Sequence, residues 1–113
     1  MRRDEQRLQD ILEAIAKIER FAREGRAAFD ADERTQVWIV HHIQIVGEAA
    51  RALSDDCRRS NPQIPWASIV GMRHILVHDY FGIDLAEVWS VVERDLPVLR
   101  QEVQAILEGE TKS

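Results

Sequence analysis

Within Arg73-His74-Ile75-Leu76-Val77-His78-Asp79-Tyr80 the chain places an arginine, two histidines and a tyrosine in eight consecutive residues. Arginine grips phosphate with a planar fork of donors, and histidine exchanges protons near neutral pH. Together they meet the minimum for cleaving RNA by attack of the adjacent 2′-hydroxyl. One group moves protons at the nucleophile or the leaving oxygen, and a cation stabilises the charged phosphorane. This chemistry needs no metal and no cofactor. If the segment is helical, His74 and His78 lie four apart on roughly one face. Arg73 and His78 are about 140° apart around such a helix, yet a long arginine can converge with a histidine in the fraying last turn. Tyr80 follows where that helix would end.

Structural roles for the same residues stay open. Arg73 could pair with Glu48 inside a helical core, His78 could neutralise a helix C-terminus, and Tyr80 could be a core aromatic with its hydroxyl outside. The spacing His74-x3-His78 suits a metal, but Ile75-Leu76-Val77 lacks the glutamate of a zinc-protease motif. His41 and His42 are adjacent, so one is expected to face solvent and the other to pack. Trp38, Trp66 and Trp89 sit on helical stripes or at a helix start. Core or dimer packing is their expected role, with nucleic-acid stacking the minority reading. Glu48, one step from an apolar stripe, reads as half of an ion pair.

The elements that must position the motif follow from period and punctuation. Leu8, Ile11, Leu12, Ile15, Ile18 and Ala22 recur at three- and four-residue steps, which predicts a helix over 4–24. Asp4 is placed to cap it and Gly25 to end it. A second helix is expected after Asp30-Ala31-Asp32-Glu33, with Ile39, Ile43, Val46, Ala50 and Leu53 as its stripe and Val40 and Ala49 widening it. Ser54-Asp55-Asp56 opens a polar connection with room for a short helical turn. Asn61-Pro62 and Ile64-Pro65 stop any helix, and Pro65-Trp66 starts the next. That third helix carries Ile69, Met72 and Leu76 and should run to about Tyr80-Phe81-Gly82. Asp84-Leu85-Ala86-Glu87 caps a last helix with the stripe Leu85, Val88, Trp89, Val92, Leu96, Leu99, Val103 and Ile106. Pro97 should kink or split it by removing the bond to Glu93. A polar, frayed tail is expected from about 109. No period-two alternation or internal repeat occurs, so the expected fold is an all-α, antiparallel four- to five-helix bundle in one domain over 1–113.

The bulk numbers agree. A length of 113 residues with 45% hydrophobic and 31% charged residues suits one folded domain that gains from oligomerisation. The single cysteine, Cys57, allows no intrachain disulfide and no cysteine-based zinc site. Met1-Arg2-Arg3-Asp4-Glu5 runs into a charged amphipathic segment, with no apolar signal region and no run fit to cross a bilayer, so a cytoplasmic protein with no membrane partner is expected. The net charge of −5 argues against a general basic surface for nucleic acid. Residues 37–82 are charge-balanced, with Arg51, Arg58, Arg59 and Arg73 against Glu48, Asp55, Asp56 and Asp79, and hold His41, His42, His74 and His78. An anionic ligand would meet the least hostile field there.

The run from Ile69 through Arg73, His74, His78 and Tyr80 to Asp84 resembles the core of the HepT-like HEPN family. Val46-Gly47-Glu48-Ala49-Ala50, Ile64-Pro65-Trp66, Val88-Trp89 and Asp95-Leu96-Pro97-Val98-Leu99 extend the likeness in consistent order over roughly residues 5–107. The resemblance implies an all-helical homodimer with two motif copies facing each other across a cleft. It implies a metal-independent endoribonuclease, the toxin of a type VII-like toxin–antitoxin pair. Arg73 and His78 would then be catalytic, and Tyr80 the residue to which a cognate MntA-type nucleotidyltransferase antitoxin adds AMP. His74 stands where the family commonly has asparagine or another polar residue, and would support or bind the phosphate. A nucleotide on Tyr80 would bring bulk and negative charge two residues from His78 and obstruct an RNA phosphate. Two Arg73 side chains facing one cleft would concentrate positive potential in an otherwise acidic chain. Two alternatives stand beside this reading: a non-catalytic helical module that partners a nucleotidyltransferase, and a purely structural helical dimer.

Overall fold

A computed structural model describes residues 2–75 and 84–112, and these form an all-α bundle. Among the described residues the order is α1 (Arg2–Ala22), α2 (Arg26–Ala31), α3 (Glu33–Arg51), α4 (Asp55–Ser60), α5 (Trp66–Ile75), α6 (Leu85–Ser90), a π-helical turn (Val91–Asp95) and α7 (Leu96–Lys112). The core is built from the expected stripes. Leu8, Ile11, Ile15 and Ile18 of α1 meet Ile39, Ile43, Val46 and Ala50 of α3, all fully buried. Val88, Leu96 and Val103 close the bundle from the last helix, and Ile69 and Met72 do so from α5. Each fully buried Ile or Leu contributes about 1.5–3 kcal/mol from the area it withdraws from water.

Ties at both ends show that α1 and α3 run antiparallel. Phe21 at the end of α1 meets Trp38 at the start of α3, with ring centroids 5.3 Å apart. At the other end Ser54, just past α3, donates to both oxygens of Asp4, from its backbone N–H at 2.9 Å and from its hydroxyl at 2.7 Å. The same Ser54 hydroxyl accepts from the Cys57 N–H at 3.1 Å and so caps α4. Asp4 was expected to cap α1, but α1 begins at Arg2 and Asp4, only 4% exposed, spends its carboxylate on this clasp. Arg100 of α7 reaches Glu19 with two bonds of 2.8 and 3.0 Å.

The connections refine the expected boundaries. Gly25 has φ +92°, a conformation in which a side chain would be strained, and it leads into the short α2 rather than a loop. Phe29 of α2 is buried against Trp89 at 5.3 Å, and the Gln36 side-chain amide donates to the carbonyls of Phe29 and Asp30. Asp32 caps α3 by accepting from the Arg34 N–H and the Thr35 hydroxyl. Those bonds, the Thr35 hydroxyl foremost, hold its carboxyl below the usual carboxylate range. Asp84 caps α6 through the Glu87 N–H, as its pattern suggested.

Pro97 does not end the last helix, but the α-helical pattern is interrupted just before it by the π turn Val91–Asp95, a local break of the kind expected there. The Leu96 N–H bonds to the Val91 carbonyl, one residue further back than in an α-helix, and the π turn absorbs the ring next to Glu93. Pro97 then falls in the first turn of α7, where its missing N–H is harmless. The helix continues to Lys112, so the tail expected from about 109 is helical there.

Two outcomes follow for stability. Asp4→Ala should cost about 1–3 kcal/mol, because it leaves the Ser54 donors without their acceptor. Urea unfolding of Asp4→Ala, Ser54→Ala and the double variant should show strong coupling; additive losses would mean the clasp carries no energy. Gly71 of α5 has nothing within 4 Å of an added Cβ among the described residues. Gly71→Ala should therefore stabilise the chain by about 0.5–1 kcal/mol in thermal unfolding, and a loss would reveal a close neighbour at that face.

Candidate functional site

The helix that carries the motif is fixed at its start. Ile64 is buried, the Trp66 N–H bonds to the Ile64 carbonyl at 2.8 Å, and Pro65 supplies the first α-helical acceptor, to the Ile69 N–H at 3.1 Å. The Trp66 indole donates to the Asn61 carbonyl at 3.0 Å, and the Asn61 amide donates to the Cys57 carbonyl at 2.8 Å. This chain of bonds locks the α4–α5 connection. Trp66, Ile69 and Met72 then bury one side of α5, which packs on α3. By register, position 73 falls four residues after Ile69 and position 74 four after Val70. The backbone carrying Arg73 and His74 is thus set by the same face that anchors α5. His78, Tyr80 and the side chains of Arg73 and His74 lie outside the described residues.

Two open grooves border these helices. One, of about 340 Å³, runs between α5 and the last helix, lined by Ser68, Ile69 and Met72 on one side and Arg94, Val98 and Glu102 on the other. It reaches Met72, the residue before Arg73. The other, of about 430 Å³, runs between α1 and α3 and is lined by Arg7, Asp10, Glu13, Lys17, His42 and Glu48 among others. Its charges pair along α1, Arg7 with Asp10 at 3.4 Å and Lys17 with Glu13 at 3.6 Å, and such exposed pairs hold little energy. Among the described residues no three His, Cys, Asp or Glu side chains gather in a metal-binding arrangement. No helix among them is long and apolar enough to cross a membrane.

His41 is exposed and His42 is 4% exposed, the division expected of neighbours on one helix. His42 Nδ1 lies 2.8 Å from the Trp38 carbonyl, which can only accept, so Nδ1 carries a proton. In the neutral ring Nε2 is then an acceptor. Sequence reasoning gave His42 no part in a groove; the spacing Trp38-x3-His42 was the available signal. The three tryptophans also separate. Trp66 is buried, and Trp89 is half-buried with its N–H on Glu93 at 2.8 Å. Trp38 is 42% exposed in the single chain with its ring against Phe21, so of the core or dimer packing expected for it the core is excluded and the dimer stays an expectation.

Comparison with known proteins bears on the same span. The family described as "Ribonuclease HepT-like" matches residues 11–106, from within α1 to near the end of α7. A protein of Thermococcus cleftensis named "Probable ribonuclease HepT" is 40% identical over 94 residues, covering 82% of this chain and 86% of that one. A protein of Methanocaldococcus jannaschii, named as a candidate RNase, is 34% identical over 100 residues, covering 88% and 92% of the two chains. No solved structure matches the chain significantly. The matched span encloses the α3 stripe, the proline-led α5, the motif from Arg73 to Tyr80 and the Pro97 turn, and the chain belongs to the HepT-like ribonuclease family.

Proposed function

We propose that the protein is an endoribonuclease in which Arg73 and His78 act on the scissile phosphate. The observation that carries this is the family match across residues 11–106, which places Arg73-x4-His78-x-Tyr80 inside a HepT-like ribonuclease span. In the proposed reaction the ribose 2′-oxygen loses its proton to a base and attacks phosphorus. The bond to the 5′-oxygen breaks, and that oxygen takes up a proton. The products are a 2′,3′-cyclic phosphate and a 5′-hydroxyl. His78 moves a proton at one of the two oxygens, and the Arg73 guanidinium stabilises the charge on the non-bridging oxygens. His74, one turn before His78, supports the phosphate. Solvent water exchanges the proton at the other oxygen, and the step then balances without a metal ion or a cofactor.

The biological setting is part of the same proposal. The chain acts as the toxin of a toxin–antitoxin pair, works as a homodimer that joins two motif copies, and is silenced by AMP added to Tyr80 by a cognate MntA-type nucleotidyltransferase. In support, two facing Arg73 side chains would supply the positive potential that a chain of net charge −5 otherwise lacks. A phosphodiester at Tyr80 would cancel part of that potential.

His78→Ala and Arg73→Ala should each lower kcat on single-stranded RNA by about 100- to 10,000-fold while leaving the unfolding midpoint near wild type. Both should also relieve growth arrest on induction of the chain alone. Wild-type cleavage in either variant overturns the catalytic assignment. Tyr80→Phe, co-expressed with the nucleotidyltransferase, should remain unmodified by mass spectrometry and stay toxic. AMP found on another residue of that variant, with toxicity lost, would reject Tyr80 as the control point.

A further inference from the structure

Phe21, Val37 and Trp38 are exposed large apolar residues that gather at one place, the end of α1 and the start of α3. Among the described residues, Val98 is the other of this kind. Trp38 and Phe21 lie with ring centroids 5.3 Å apart and planes tilted by 58°. The buried His42 imidazole backs the Trp38 ring at 4.5 Å, and the exposed His41 lies 6.5 Å from it. The indole N–H groups of Trp66 and Trp89 are satisfied by Asn61 and Glu93, whereas that of Trp38 has no acceptor among the described residues. Arg34, one turn before Trp38, lines the same shallow depression with Glu33, Val37 and Trp38. No carboxylate lies within 4 Å of the Arg34 guanidinium among the described residues, although its charge acts on nearby Asp32. Lys17, one turn before Phe21, and His42 lead from this patch into the groove between α1 and α3.

We propose that this patch is a second RNA-binding surface, on which unpaired bases of single-stranded RNA stack on Trp38 and Phe21 while Arg34 meets one phosphate. The surface is mainly aromatic, with Val37 as its one large aliphatic neighbour, and every base has a face to stack on a ring. The free indole N–H offers a donor to a base carbonyl or ring nitrogen. Bases in a duplex hide these faces, so the surface selects single strands. Cations here are few and Glu33 sits among them, so affinity comes from stacking more than from phosphate neutralisation. That balance lets a chain of net charge −5 hold RNA. The proposal rests on the ribonuclease reading for RNA as the ligand, and the surface uses none of the motif residues.

The test is fluorescence anisotropy of a labelled, unstructured oligouridine on the His78→Ala chain, so that RNA stays intact. Trp38→Leu should weaken binding about tenfold, and Phe21→Leu should act in the same direction. Arg34→Gln should reduce the slope of log affinity against log salt by about 0.7, the share of one phosphate on a single strand. A duplex of the same length should respond to none of these changes. In the active chain, Trp38→Leu should raise KM and leave kcat unchanged. Unchanged oligouridine affinity in folded Trp38→Leu and Phe21→Leu overturns the proposal. So does a shift of oligomeric state in sedimentation at unchanged affinity, which would give the patch to a second copy of the chain. If Trp38→Leu does not fold, Phe21→Leu and Arg34→Gln decide. Cleavage with unaltered KM in Trp38→Leu rejects this surface and spares the catalytic reading. Trp38-dependent binding by a wild-type chain that cleaves nothing does the reverse.

Discussion

Burial of α3 on several sides is the constraint on which the other helices depend. Ile39, Ile43, Val46 and Ala50 are fully buried, and Val40, Gly47 and Ala49 widen the covered arc. A helix this enclosed needs partners along both flanks, which α1 and α5 provide. Small residues at Gly47, Ala49 and Ala50 let neighbours approach the second half of α3 closely. The antiparallel pairing with α1 is then held at one end by Asp4 and Ser54 and at the other by Phe21 and Trp38. The two ends differ in kind. The polar clasp is part-buried and tied by two hydrogen bonds, whereas the aromatic contact stays open to solvent.

Anchoring of α5 on that core is what carries structure toward chemistry. Pro65, Trp66 and the Asn61–Cys57 bonds fix where the helix begins, and Ile69 and Met72 fix its rotation. Once rotation is fixed, the positions of residues 73 and 74 around the axis follow from the helical period. A reacting group must be held to within a fraction of an ångström to contribute fully to rate. Under the proposed chemistry, the apolar packing of Ile69 and Met72 one turn earlier in the same helix would supply that stiffness.

Much of this was legible in the sequence because hydrophobic period reports burial directly. Most stripe residues of α1, α3 and the last helix are buried, with Leu12, Ala22, Leu85, Trp89 and Ile106 partly so, and the helix starts at Pro65 and Asp84 follow their local chemistry. What escaped depends on partners far away in the chain. Asp4 has the composition of a cap, but Ser54, fifty residues on, competes for its carboxylate and wins with two bonds. The break before Pro97 takes the form of a π turn, which keeps Val92, Leu96 and Leu99 buried on either side of it and could not be read from local rules alone. Trp38 shows the limit of periodicity for the site as well. It lies next to Ile39 on the stripe edge, and the packed structure turns it to the exposed side of α3 with Arg34, Val37 and His41. The candidate motif was legible through residue types and spacing, whereas the groove-facing His42 and the aromatic patch needed the tertiary arrangement.

The chemistry assigned to Arg73 and His78 leaves a signature in the RNA ends. The most direct measurement is mass spectrometry of the fragments made by the purified chain from a defined single-stranded RNA in excess EDTA. Fragments ending in 2′,3′-cyclic phosphate, paired with 5′-hydroxyl fragments and absent from the His78→Ala reaction, are the expected result. Fragments with 3′-hydroxyl and 5′-phosphate ends, or cleavage abolished by EDTA and restored by a divalent ion, would contradict it.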